Sequence, residues 1–185
     1  MNKVKLHLGC GEKYIQGYVH IDIVSYPHVD YQQSIMFLPQ FDDNSVDYIY
    51  CCHAFEYLDR EEGYAALCEW IRVLKPGGTI RLAVPDFDAI VTNYQTKANR
   101  NIEERGILGP LYGKIDCGFM SVYHKTAYNF DSLQKMLERV GFKDIKLYDW
   151  RETEHADVDD FSQAYIPHMD KENGLLISLN IEGKK

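Results

Sequence analysis

Two short apolar stretches, Lys5 to Leu8 and Val19 to Ile23, stand either side of Gly9-Cys10-Gly11, and the second carries Asp22 near its end. This arrangement limits the fold more than any other feature of the chain. Each stretch is long enough for one buried strand, and only nine residues, Cys10 to Tyr18, separate them. A crossover between parallel strands takes at least about 10 to 12 residues with its helix. A full first helix therefore cannot fit, and the spacing predicts a single helical turn or an irregular loop. In an open α/β sheet, ligands lie at the carboxyl ends of the strands, where glycine lets the backbone come close. A carboxylate at a strand tip can accept hydrogen bonds from both hydroxyls of a ribose. Gly9, Cys10, Gly11 and Asp22 are accordingly read as a nucleoside site, with Cys10 meeting the ligand through its backbone.

The spacing also bears on which nucleoside. A dinucleotide fingerprint has a third glycine opening a helix and an acid about 20 residues further on. Here the next glycine is Gly17, out of register, and Asp22 follows Gly11 by 11 residues. A diphosphate would lack its helix N-terminus at such a turn. A nicotinamide-dependent oxidoreductase is thus disfavoured as the alternative, and a nucleoside-binding protein without activity is a third reading.

The remaining chain alternates strand-like and helix-like segments. Strands are predicted at Val29 to Tyr31, Val46 to Cys52, Thr79 to Val84, Ile145 to Trp150 and Leu175 to Ile181, and helices at Arg60 to Leu74 and Asp131 to Val140. The second helix is read as starting at an Asp131 cap and stopping at Gly141. Pro76-Gly77-Gly78 reads as a turn. Such alternation implies a mostly parallel sheet with crossovers. Nothing marks a linker or a repeat, so residues 1–185 read as one domain with long insertions at about 87–129 and 151–174.

Arg72-Val-Leu-Lys-Pro-Gly-Gly78 lies in chain order behind Leu8-Gly-Cys-Gly11, Asp43-Asn-Ser-Val-Asp-Tyr-Ile49 and His53-Ala-Phe-Glu-Tyr-Leu58, and ahead of Val84-Pro-Asp86. This combination resembles the class I S-adenosylmethionine-dependent methyltransferases, and within them a small branch associated with cell-surface polysaccharide modification. The likeness runs from about Lys5 to Val91 and resumes from His124 to Phe142. It implies a Rossmann-like seven-stranded sheet of order 3-2-1-4-5-7-6 with the last strand antiparallel, here with its first helix shortened or missing. It implies S-adenosyl-L-methionine as cofactor, held by Leu8, Gly9, Cys10, Gly11, Asp22, Ile23, Ser34, Ile35, Cys52 and His53. Ser34 falls where relatives carry an acid toward adenine, and His7 where they often carry an acid before the first glycine.

Methyl transfer needs an acceptor atom aligned with the departing sulfur and, for a hydroxyl, a group to remove its proton. His124 is the first candidate base, since an unperturbed histidine titrates near pH ~6.5 and it ends the 87–129 insertion. His53, Glu56 and Asp86 are the others, with Asp86 aimed into the crevice by Pro85. Tyr112, Tyr123, Tyr165 and His168 are expected, with Asp86 and His124, to touch the acceptor, a small polar molecule such as a sugar or nucleotide-sugar. His53, Glu56 and Asp59 make a poor metal set, and no metal is expected. Asp157, Asp159 and Asp160 read as a solvated acidic loop or as an acidic rim that holds polyhydroxylated or cationic groups, the first at least as well as the second.

Composition closes off other classes. A formal charge of −8 with scattered basic residues argues against nucleic acid. No apolar run approaches the ~20 residues of a bilayer span, and Met1 to Leu6 lacks a signal-peptide core, so a cytoplasmic location is expected. Five cysteines without a C-x-x-C pair read as reduced, buried thiols. One sheet face beside the first two strands, without its helix, is expected to leave apolar surface that a homodimer could cover.

Overall fold

The structure, a computed structural model, describes residues 3–96 and 101–185. In chain order it contains β1 (Lys5–Leu8), β2 (Val19–Asp22), β3 (Tyr31–Gln32), β4 (Val46–Cys52), α1 (Arg60–Val73), β5 (Leu74–Pro85), α2 (Phe87–Gln95) and α3 (Leu108–Tyr112). There follow β6 (Ile115–Asp116), β7 (Ser121–Val122), α4 (Phe130–Val140), β8 (Lys143–Leu147), β9 (Tyr165–Ile166), β10 (Leu175–Leu176) and β11 (Ser178–Lys184). The main sheet has seven strands in the order β3-β2-β1-β4-β5-β11-β8. β11 runs antiparallel to both its neighbours, while β1 to β5 are parallel. This is the order expected, and residues 10–18 form turns with no helix.

Helix α1 begins where Asp59 caps Glu61 and Glu62 through their N–H groups and Glu62 reaches back to the Asp59 N–H, a capping box. Its buried face, Ala66, Leu67, Trp70 and Val73, lies on the apolar side of the sheet with Leu6, Leu8, Ile21, Ile49, Ile80 and Leu82. Each large side chain buried this way contributes about 1.5–3 kcal/mol. The helix stops at Leu74, because Pro76 disfavours helical backbone before it. Pro76-Gly77-Gly78 turns out to be a bulge within β5 and not a turn before it, since the ladder to β4 passes from Val46↔Leu74 directly to Tyr48↔Thr79. The cap of α4 is Asn129, not Asp131, with Ser132 completing the box, and Gly141 ends the helix at φ +116°. The last predicted strand divides into β10 and β11.

The second face of the sheet corrects an expectation. Register places His7 beside His20 and Tyr50, Tyr50 beside Arg81, and Arg81 beside Glu182. That face is therefore polar and aromatic, not apolar. It is also covered. Ile15 and Tyr18 fold over it from the short first connection, and the 148–163 connection crosses it, stacking His155 on Tyr50 at 4.1 Å. Asp160, expected in solvent, is 5% exposed and accepts from the Tyr50 hydroxyl at 2.7 Å. The Tyr18 hydroxyl donates to Glu154 at 2.7 Å, and Lys5 pairs with the same carboxylate. The cysteines are free thiols, with Cys10 and Cys51 buried, Cys52 and Cys117 part-buried, and Cys68 exposed, so burial holds for fewer than the composition implied. Among the described residues no helix is long and apolar enough to cross a membrane.

Candidate active site

The glycine turn after β1 is shaped by its neighbours. Gly9 and Gly11 adopt φ +64° and +54°, which disfavours other residues. A Cβ on Gly9 would overlap the Ala54 Cβ beyond β4, whereas a Cβ on Gly11 would stand in open space. The Asp22 carboxylate accepts from the Gly11 N–H through Oδ2 and from the Val24 N–H through Oδ1, both at 2.8 Å. A carboxylate has about four acceptor positions, so two remain for the hydroxyls of a ribose. An open cradle bounded by a carboxylate with spare acceptor positions fits a nucleoside. It does not supply a helix N-terminus for a diphosphate.

Several residues expected at the cofactor also make internal contacts. The Cys10 N–H is spent on the Ile21 carbonyl at 3.4 Å, and its thiol is pushed up to about 12 by burial and the nearby Asp22 charge. The Leu8 side chain points into the apolar core. Ser34 accepts from the Met36 N–H, and the Ile35 carbonyl accepts from the Trp70 indole at 2.8 Å. Ile23, 39% exposed, stands at the rim beside Asp22.

Beyond the end of β4 lies a cavity of about 550 Å³, within the ~300–1,000 Å³ usual for small-molecule sites. His53 and Tyr57 form its floor, the 87–129 insertion supplies Arg105, Gly113 and His124 among others, and Tyr165 and His168 come from the 151–174 connection. His53 itself sits at φ +50°, a costly conformation for a residue with a Cβ. Its Nε2 contacts the Ser178 hydroxyl at 3.1 Å, and that hydroxyl donates onward to Asn180.

The centre of the arrangement is Glu56. It is fully buried, and neither carboxylate oxygen has a hydrogen-bond partner. His53 Nδ1 approaches its Oε1 at 3.4 Å and His124 Nε2 at 3.6 Å. The Pro110 carbonyl, 3.0 Å from His124 Nδ1, can only accept, so Nδ1 carries the hydrogen and Nε2 is the nitrogen free to take a proton. The ring is fixed on its other sides. Tyr57 meets it edge-on at 4.6 Å and donates its hydroxyl to the Gly113 carbonyl, and a Cβ on Gly113 would overlap the imidazole. Burial lowers the His124 pKa below 6.5, assisted by His53 and opposed by Glu56 and Pro110. Burial thus favours the neutral ring, and a buried carboxylate lies opposite Nε2.

The structure does not bring all the candidates together. Asp86 caps α2, accepting from the Asp88 N–H at 3.0 Å, and does not line the cavity. Its position at a helix start explains this, since the cap needs an acceptor there. Burial raises its pKa. Tyr112 and Tyr123 are 62% and 49% exposed and also lie outside the lining. Tyr165, 7% exposed, lines it while its hydroxyl accepts from Arg151 at 3.0 Å. Asp59 is occupied as the α1 cap. Tyr57, Arg105 and Gly113 were missed, although Gly113 between Tyr112 and Lys114 marked a place where the chain needed no side chain.

Comparison with known proteins agrees with this fold. Residues 6–82 match a family described as methyltransferase domain. No curated protein matches the chain in sequence. Among solved structures, an S-adenosylmethionine-dependent methyltransferase from Archaeoglobus fulgidus superimposes with TM-score 0.59 at 17% identity, over 99% of this chain and 86% of that one. One from Methanosarcina mazei gives TM-score 0.59 at 16% identity, over 100% and 93%. One from Mesorhizobium loti gives 0.57 at 14%, over 100% and 91%. The fold is that of S-adenosylmethionine-dependent methyltransferases.

Proposed function

We propose that the protein is a cytoplasmic, single-domain enzyme that uses S-adenosyl-L-methionine to methylate an oxygen of a small polar acceptor, of the sugar, nucleotide-sugar or related surface-polysaccharide-precursor class. When bound, the cofactor supplies an electrophilic methyl carbon on a sulfonium. Asp22 would hold the ribose hydroxyls, the glycine turn would let the backbone approach, and Ser34 would face the adenine. His53, in the cavity lining, would meet the cofactor from that side. In the cavity His124 takes the acceptor's hydroxyl proton at Nε2, and Glu56 stabilises the resulting imidazolium. The two long connections close around the acceptor and exclude water. Unpaired cysteines accord with a reducing compartment.

The observation that carries this reading is a histidine in a cavity wall, His124, whose Nδ1 is held by the Pro110 carbonyl and whose Nε2 faces the buried Glu56 carboxylate. Calorimetric titration with S-adenosylhomocysteine and, in parallel, NADH tests it. Saturable binding of the first alone is expected, followed by label transfer from methyl-labelled cofactor in a screen of sugar phosphates and nucleotide-sugars. Binding of NADH alone, or of neither, would overturn it.

A further inference from the structure

Arg105 lies in the wall of the same cavity and is 8% exposed, yet no carboxylate among the described residues pairs with it. Its Nη2 donates to the main-chain carbonyl and, at 2.9 Å, to the side-chain oxygen of Asn93. The Asn93 amide returns a bond to the Arg105 carbonyl at 3.3 Å. Its Nε–H is buried and has no acceptor. The contact with the Asn93 carbonyl has a structural explanation, because a cation at the last turn of α2 meets the negative end of the helix dipole. That explanation leaves the rest of the guanidinium unaccounted for. A buried donor without an acceptor and a buried cation without a counter-charge are both costly.

Among the described residues no carboxylate is seen to pair with Arg105. Glu104, on the same wall, accepts from the Asn101 amide at 3.0 Å, and Glu56 faces His53 and His124 and does not line the cavity. Lys114 adds a second cation to the lining. A chain of formal charge −8 repels anions on the whole, so two cations in the lining of one cavity, against the single acid Glu104, are a feature directed at what enters it. The planar guanidinium fork suits an oxyanion better than a neutral hydroxyl.

We infer that the acceptor carries an oxyanion, a phosphate or a carboxylate, bound by Arg105 with Lys114 assisting, while its reacting oxygen is presented to His124. This rests on the proposed methyl transfer for the identity of the ligand, but the anion site can be examined without it. The Arg105 Nε–H resonance is followed by ¹⁵N NMR in the full chain, with and without S-adenosylhomocysteine, during titration with inorganic phosphate, propionate and chloride at matched ionic strength. A saturable shift with phosphate or propionate and none with chloride is expected, and the tighter of the two identifies the kind of group. Arg105→Gln, which lacks that resonance and is followed by calorimetry with the same anions beside the unaltered protein, should weaken the binding about tenfold or more, and Lys114→Ala by a smaller factor. Equal responses to all three salts would overturn the inference. If Arg105→Gln fails to fold, the titration of the unaltered protein and of Lys114→Ala still decides. An oxyanion response in a protein that does not bind S-adenosylhomocysteine would sink the methyl-transfer reading and leave the anion site standing. The converse would sink only the anion site.

Discussion

His124, the proposed base, is set up for that role by its immediate neighbours. The Pro110 carbonyl fixes which nitrogen holds the hydrogen, burial lowers the pKa below 6.5, and Glu56 waits opposite Nε2. For a base, the neutral form is the active one. Activity should therefore rise with pH only through a point below ~6.5 and stay flat above it. In His124→Asn that acid limb should disappear and kcat/KM should fall by about 10²–10⁴, with S-adenosylhomocysteine affinity unchanged in calorimetry. A retained limb would move the base elsewhere. Glu56→Gln should lower kcat by roughly tenfold or more while leaving KM near its original value, because the carboxylate acts only once the imidazolium forms. At this scale the sequence was legible where spacing restricted the backbone, as at Gly9, Gly11 and Asp22. It was not where two uses of one side chain compete. Asp86 can cap a helix or serve a site, and Asp160 can face water or bond Tyr50, and only the packed fold chooses.

The elements place those residues, and the placement depends on a few backbone positions. Gly113 at φ +44° ends α3 and lies so close to His124 that a methyl group there would occupy the imidazole's space. Gly113→Ala should therefore act as a displaced-histidine variant. Misplacing a catalytic group by about 1 Å can cost 10²-fold, so kcat/KM should fall by at least tenfold with cofactor affinity retained. Unaltered kinetics would show that His124 has freedom the structure does not grant it. Far from the site, Asn129→Ala removes the α4 cap, which should cost about 1 kcal/mol and lower Tm by roughly 2–4 °C, without altering kinetics. The same contrast explains what the sequence revealed of the elements. The nine residues from Cys10 to Tyr18 were enough for the missing helix, whereas the strand order was implied by the family resemblance of the motifs and not by apolar alternation. The Pro76-Gly77-Gly78 bulge and the Asn129 cap were obscured. A bulge and a turn share the same residue types, and Asp131 is as good a local acceptor as Asn129.

The whole molecule is asymmetric across its sheet. One face is packed with Trp70, Leu67, Ile80 and their neighbours, and the other carries His7, His20, Tyr48, Tyr50 and Arg81 under a cover of loops instead of the absent helix. His7 is 1% exposed, and its Nδ1 has no partner. Burial holds its pKa well below 6.5, with His20, His155 and His28 adding to the effect. The pKa values of His20 and His155 are also lowered, but Asp30 and Asp160 pull them back. No carboxylate does this for His7. A histidine whose folded pKa lies below its unfolded value binds more protons when unfolded, so its contribution to stability is complete above the unfolded pKa and is lost as pH falls through it. Stability should thus decline from about pH 6.5 downward with a slope approaching ~1.4 kcal/mol per pH unit for each excluded proton. Urea unfolding at a series of pH values measures that slope directly. His7→Phe, which keeps a ring beside Tyr50 and removes the titration, should flatten the slope by close to one proton while His124-dependent activity keeps its own acid limb. If the slope is unchanged in the variant, acid sensitivity resides in the carboxylates, and the polar face of the sheet is not the element that first admits a proton.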